Sequence, residues 1–307
     1  MDRRPIGAHA TVTGGLAASL RYAAAVGAEA IQVFVSNPRG WASSAGDARQ
    51  DAALRDHVAA TGLPVFVHAP YLVNVGSPDR PTRERSVAAI RHALRRGREI
   101  GARGAVVHTG SAVDGDRRAG LVRARECLLP LLDEIGDDGP ELLLEPMAGQ
   151  GQMLCAALPD FEPYLDALGW HPRARVCLDT CHAFAAGHDL SRPRGTARAL
   201  RALQAATRDP GGRLRLIHAN DSKDRCGSRR DRHESIGAGQ IGAAGFGRLL
   251  RDPVTDGVPF IVETPGGQAG HARDVAALRA LRDGRHGGGG GHGGGGGHGG
   301  GPSPGSS

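Results

Sequence analysis

No apolar run among the 307 residues is long enough to cross a bilayer. The opening MDRRPIGAHA passes straight into strand-like sequence. It lacks the ordered charged, apolar and cleavage stretches of a secretory signal, so a cytoplasmic protein is expected. Cysteine is sparse: Cys127, Cys155, Cys177, Cys181 and Cys226 are odd in number and lack disulfide-framework spacing. That excludes a fold stapled by disulfides. Cys177 and Cys181 flank Asp179 and read as small buried residues beside a candidate ligand. Lysine is nearly missing, and Lys223 stands alone. The net charge of +6 is therefore carried by Arg. A basic surface favours polyanions, although GC-rich codon usage yields the same composition. Also missing is a glycine-rich phosphate loop after the first apolar run, because Gly14-Gly15 does not make that fingerprint.

What is present is a β-then-α unit that recurs eight times. Short apolar, β-branched runs fall at Pro5–Ala10, Ala30–Val35, Pro64–His68, Gly104–His108, Glu141–Glu145, Ala174–Asp179, Leu214–Ala219 and Pro259–Glu263. Between them lie Ala/Leu/Arg-rich stretches with helical spacing, among them Leu16–Val26, Ala48–Thr61, Arg83–Ile100, Leu121–Ile135, Thr196–Thr207 and Ala272–Leu281. Strands alternating with helices predict a parallel sheet with crossover helices. Eight units predict an α/β fold closed as a (β/α)8 TIM barrel over residues 1–283. Residues 284–307 are of different composition, with His286, His292 and His298 spaced by glycines. This tail has nothing to bury and is expected to be disordered, without a defined metal site.

The chemistry-bearing side chains fall at the strand ends. His68, His108, Glu145 and Asp179 end the third to sixth runs, His218 lies near the end of the seventh, and Glu263 ends the eighth. In a TIM barrel these ends converge on the face where active sites form. One His or Glu at a strand end is commonly structural. Six in succession, all from the metal-ligand set, point to a metal centre. His182 in LDTCH, and Asp231 with His233 as a D-x-H pair, extend the set. Residues two apart in an extended loop project to the same side, so one ion can take both. Mixed His and carboxylate donors suit Zn²⁺, with Mn²⁺ a possible substitute. Nine ligands exceed one tetrahedral ion and suit three ions with a bridging carboxylate.

Longer motifs accompany these residues: IGAHATVTGGL, SNPRGW, FVHAPYLVNVGSP, VVHTGS, LEPMAGQG, CLDTCHAFAAGHDL, HANDSKDRCGSRRDRHESIGAGQIG and IVETP. In this order, from about Pro5 to about Leu281, the chain resembles endonuclease IV, the bacterial-type apurinic/apyrimidinic endonuclease. The resemblance implies a barrel with three zinc ions. His68 and His108 would hold one with Glu145, which would bridge to a second bound by Asp179, His218 and Glu263. His182, Asp231 and His233 would hold the third. Glu145 and Glu263 become the candidate catalytic carboxylates. The implied reaction is hydrolysis of the phosphodiester 5′ to an abasic deoxyribose, leaving 3′-hydroxyl and 5′-deoxyribose phosphate ends, with 3′-end cleaning besides. The implied partner is duplex DNA with abasic or 3′-blocked sites, bound by a monomer. Arg39, and Tyr71 with Leu72, would enter the duplex. Lys223 and Arg232 read either as phosphate contacts or as solvated loop charge.

Two positions depart from the usual family pattern. Pro146-Met147 follow Glu145 where an amide or small polar residue is common, and Thr109 replaces a proline. Neither removes a ligand. A different class remains open on the residues alone, a divalent-metal sugar isomerase or epimerase on the same barrel. Glu145, Asp179, His218 and Glu263 would serve it, but His68, His108 and the Asp231/His233 pair would then have no task.

Overall fold

The computed structural model describes residues 4–136, 138–208 and 212–284; the tail histidines His286, His292 and His298 lie outside these residues. Eight parallel strands close into a barrel: β1 (Ile6–His9), β2 (Ile31–Phe34), β3 (Val65–His68), β4 (Gly104–His108), β5 (Glu141–Glu145), β6 (Ala174–Asp179), β7 (Leu214–His218) and β10 (Phe260–Val262), which pairs back with β1. The other two strands, β8 (Asp221–Ser222) and β9 (His233–Glu234), form a short antiparallel ladder outside the barrel. Helices α1 (Ala17–Val26), α2 (Ala48–Thr61), α3 (Arg80–Glu99), α4 (Arg117–Glu134), α5 (Phe161–Ala167), α6 (Thr180–Ala185), α7 (Pro193–Thr207), α8 (Gly242–Leu249) and α9 (Gly267–Arg282) alternate with the strands. This is the TIM barrel that the alternating pattern predicts.

Helix starts differ from the apolar periodicity because caps set them. Asp79 accepts the Thr82 N–H and Pro81 occupies the first turn, so α3 begins before the first apolar residue. Asp116 does the same for α4 through the Ala119 N–H. The short helix α6 is not apparent from periodicity, because all six of its residues are buried.

Two layers of core follow from the period of two along each strand. One face of the strands packs with the helices around Ile31, Val65, Leu142, Ile90, Leu128 and Leu200. The other face fills the barrel with Ala30, Phe66, Val106, Leu143, Cys177, Leu216 and Ile261, all buried. Gly7 supplies the eighth position; a Cβ there would lie 1.7 Å from the Ala30 carbonyl oxygen, so only glycine fits. Two residues further along each strand path comes the next inward layer: His9, Gln32, His68, His108, Glu145, Asp179, His218 and Glu263. The barrel interior thus ends, at the C-terminal end of its strands, in a ring of polar side chains.

Candidate metal centre

Six of the eight ring members are the strand-end residues expected from sequence. His9 and Gln32 are the two that sequence reasoning missed. The signal was present: both lie two residues beyond an inward-facing small residue, but neither belongs to a run of obvious ligands.

Glu145 stands at the middle of the ring and is buried. Its Oε2 is 3.3 Å from His68 Nε2 and 3.5 Å from His108 Nε2. Its Oε1 is 3.0 Å from His218 Nδ1 and 3.3 Å from His182 Nδ1. One carboxylate therefore faces His68 and His108 with one oxygen and His218 with the other, the arrangement of a bridging ligand. Glu263 Oε2 lies 3.4 Å from His218 Nδ1, on the second side.

The third group is supplied from outside the barrel. Asp179 caps α6, its Oδ1 accepting the His182 N–H at 2.7 Å, and this places His182 over the ring. The ladder of β9 with β8 brings His233 and the adjacent Asp231 in from the opposite side. His182 Nε2 is 3.2 Å from Asp231 Oδ2, and His233 Nε2 is 3.0 Å from Asp231 Oδ1.

Hydrogen bonds orient the rings. His68 Nδ1 donates to the Ala69 carbonyl at 2.6 Å, His182 Nδ1 to that of Pro146 at 3.0 Å, and His233 Nδ1 to that of Glu263 at 3.2 Å. Each leaves Nε2 directed at the cluster. Backbone carbonyls in this role fix ring and tautomer in metal sites. The Nε2 atoms of His182 and His233 are buried and, although each faces an Asp231 oxygen, neither makes an aligned hydrogen bond. A buried polar atom is rarely left so unless something else engages it. The donor atoms of His68, His108 and Glu145 lie within 4.8 Å of one another, as do those of His182, Asp231 and His233. These residues fit metal ions by donor type, convergence and orientation.

The electrostatics agree. Burial works against charge on Glu145, but His218 beside it and hydrogen bonds from His182, His218 and His68 hold its carboxyl well below the usual range. Asp231 is likewise held far down against burial, by His182 and His233. Burial presses His233 down, yet contact with Asp231 and the charge of Asp179 carry it up to about 9. His108, with less carboxylate contact, is lowered by burial to about 4. Without metal, protons on histidines balance the carboxylates; cations can take their place. The thiols of Cys177 and Cys181 are each pushed up to about 12 by burial, so without metal they are protonated at neutral pH. Both are small buried residues on either side of Asp179.

The two departures from pattern are accommodated by backbone groups. Pro146 retains the carbonyl that holds His182. Thr109 places its N–H on the Glu145 carbonyl at 3.1 Å and its hydroxyl on the Cys155 carbonyl at 3.2 Å.

The expected DNA-contacting residues lie around this face with different freedom. Arg39 is exposed, in a loop held by its N–H on Asn37 Oδ1 at 2.9 Å. Tyr71 and Leu72 are 47% and 39% exposed, high values for apolar side chains. The Tyr71 N–H bonds to the Pro38 carbonyl at 2.9 Å, which joins the loops after β2 and β3. The Tyr71 ring does more than face solvent. It stacks on His108, with centroids 5.9 Å apart, and meets His68 edge-on at 5.5 Å. Lys223 is exposed. Arg232 is exposed too, but its guanidinium is paired with both oxygens of Asp224, at 2.6 and 2.5 Å.

Among the described residues, no helix is long and apolar enough to cross a membrane. Comparison with known proteins gives consistent findings. Residues 20–283 match the family described as xylose isomerase-like TIM barrel. The chain is 57% identical over 287 residues to "Probable endonuclease 4" of Streptomyces coelicolor, covering 92% of this chain and 97% of that one. To the protein of that name from Nitratidesulfovibrio vulgaris (strain DP4) it is 39% identical over 278 residues, covering 90% and 98%. Among solved structures it is similar to endonuclease IV from Thermus thermophilus, with a TM-score of 0.79, 33% identity, and 91% and 99% of the two chains covered. A D-tagatose 3-epimerase-like protein has a TM-score of 0.71 at 19% identity, which is a likeness of fold alone.

Proposed function

The chain belongs to the endonuclease IV family, and from that footing we propose that it is a DNA-repair hydrolase that cuts the phosphodiester 5′ to abasic sites. Its products are a 3′-hydroxyl and a 5′-deoxyribose phosphate, and the same site cleans blocked 3′ ends in base excision repair. The catalytic unit is one barrel domain, residues 1–283, acting as a monomer in the cytoplasm.

The observation that carries the metal reading is the convergence of His182 Nε2 and His233 Nε2, both buried and without an aligned hydrogen bond, on the Asp231 carboxylate. In this reading His68, His108 and Glu145 hold one zinc. Glu145, Asp179, His218 and Glu263 hold a second, and His182, Asp231 and His233 a third. Bound there, zinc supplies Lewis acidity that activates water and neutralises charge on the phosphate and leaving oxygen. Mn²⁺ can substitute, because the donors are nitrogen and oxygen.

The chain's own residues do the rest. Glu145, with an oxygen toward each half of the site, orients the attacking water at the junction. Glu263 anchors the second ion position. Arg39 and Leu72, projecting from the loops beside the ring, enter the duplex where stacking is missing. Lys223 is free to contact phosphate, whereas Arg232 reaches it only by leaving Asp224.

A duplex carrying one abasic analogue tests the proposal. Incision on the 5′ side should occur, stop after prolonged chelation, and return with zinc. Zinc content near three per chain separates this reading from a sugar isomerase or epimerase, which would hold about one. Full incision by a chain shown to be zinc-free would reject the metal mechanism.

A further inference from the structure

Gln32 is the one member of the polar ring without an ionisable group, and it is completely buried. Its amide reaches three other strands, with Nε2 also 3.0 Å from His9 Nδ1 on β1. Nε2 donates to Glu263 Oε1 at 2.7 Å, and Oε1 accepts from His218 Nε2 at 2.8 Å. We infer that Gln32 is a positioning residue for the metal site, locking His218 and Glu263 in the orientations that bind the second zinc. The inference rests on the zinc reading above.

The two bonds determine each other. Glu263, ionised, can only accept, so the amide NH2 must face it. The carbonyl then faces His218, and an amide oxygen can only accept. His218 therefore donates from Nε2, and Nδ1 is the nitrogen left to face the cluster. That atom points into the cluster, 3.0 Å from Glu145 Oε1 and 3.4 Å from Glu263 Oε2. The same amide engages one oxygen of Glu263, Oε1, which His9 Nδ1 also approaches at 2.9 Å. Oε2, which takes only a long bond of 3.4 Å from Asn220 Nδ2, is the oxygen that would be open to metal. One side chain thus selects the coordinating nitrogen of one ligand and the coordinating oxygen of another. Reversing the amide would set oxygen against oxygen at Glu263. The carboxylate side of this arrangement is completed by Asn220, whose Oδ1 accepts the Glu263 N–H at 2.8 Å and whose Nδ2 donates to Asp179 Oδ2 at 2.7 Å.

Gln32→Met tests this, since Met has similar length without a hydrogen-bonding amide. Partners of metal ligands of this kind typically contribute about 10–100-fold to metal affinity. Competition with a zinc chelator should show the second zinc of Gln32→Met held about 10–100-fold more weakly than in the wild-type chain. In the Co²⁺-substituted protein, the visible absorption should change in shape. Gln32→Glu keeps the size and the acceptor for His218 but sets a carboxylate against Glu263, and should weaken the same zinc; it serves if the Met variant does not fold. Wild-type zinc affinity and an unchanged Co²⁺ spectrum in a folded variant would overturn the inference. So would a lower melting temperature of the metal-free variant with unaltered zinc affinity, the mark of a packing role. A wild-type chain that holds no zinc would overturn the metal reading and this inference together, so the two failures are distinct.

Discussion

Asp179 caps the helix that carries His182: its Oδ1 accepts the His182 N–H at 2.7 Å, while its Oδ2 lies 3.8 Å from His233 Nε2. One carboxylate thus fixes where α6 starts and also faces the cluster. Asp179→Ala should remove both effects. Losing the cap should lower the stability of the metal-free protein by about 1–2 kcal/mol. Zinc content should fall as well. Denaturant titration of the chelated protein measures the first effect and metal analysis the second. An unchanged midpoint in the metal-free variant would show that the cap is of no consequence.

Zinc loading should release protons and weaken in acid. In the metal-free chain His233 is raised to about 9, with burial opposing and Asp231 and Asp179 prevailing, so it is protonated at neutral pH. Zinc needs the neutral ring, so binding at pH 7 should expel at least about one proton per chain. Apparent affinity should rise with pH until about 9. Metal-free stability should run the other way. The raised His233 favours folding fully below its ordinary 6.5, and the gain disappears as pH climbs through about 9. The lowered Glu145 and Asp231 favour folding above the ordinary carboxylate range, and that gain disappears as pH falls through their depressed values. Calorimetry in buffers of different ionisation enthalpy measures the protons; no release at pH 7 would contradict the assignment.

Arg39 and Tyr71 should separate on mutation. Arg39 is exposed and its loop is held by Asn37 rather than by any member of the ring, so Arg39→Ala should weaken incision of an abasic duplex by roughly tenfold, the lower range for a lost stacking or filling group. Its zinc content, and hydrolysis of a minimal phosphodiester such as bis(p-nitrophenyl) phosphate, should stay at wild-type levels. Tyr71→Ala removes a ring stacked on His108 and edge-on to His68, so it should also speed zinc loss to chelator, while Tyr71→Phe should not. Equal losses on both substrates for Arg39→Ala would mean that it supports the site and not the duplex.

Asp221 should prove indispensable to the segment after β9. Its buried carboxylate accepts the N–H groups of Ser222, Gly237, Gly239, Ile241 and Gly242, at 2.8 to 3.2 Å. Gly239 is needed for that approach, since a Cβ there would lie 2.5 Å from Asp221 Oδ1. Asp221→Asn turns an amide toward donors on one side and should lower stability by about 3 kcal/mol or more. Limited proteolysis should then cut within Gly237–Gly242. A variant as stable and protease-resistant as wild type would refute this account.

The barrel and most of the ring are legible in the sequence alone. Strand-like runs ending in His68, His108, Glu145, Asp179 and Glu263 carry their own period, and the chemistry of those side chains is readable one at a time. Reading the same period into the first two strands would have added His9 and Gln32. The period places Gln32 in the ring, but its residue type alone gives an amide no task until its partners are known. Helix α6 is hidden because a wholly buried helix has no polar face. Tyr71 reads as a group for the duplex, whereas it also packs on two ring histidines.

Local alternation and residue type determined that this chain makes a β/α barrel with metal-capable side chains at its strand ends, because both are properties of neighbours in sequence. Which nitrogen of His218 is free, which oxygen of Glu263 is engaged, and that Arg232 is tied to Asp224 were decided only by closure of the barrel and folding of its loops. Gln32 meets His218 across 186 positions of chain, and His9 meets Glu263 across 254. Hydrogen bonds act over about 3 Å, so contacts so distant in sequence exist only once the first and last strands pair.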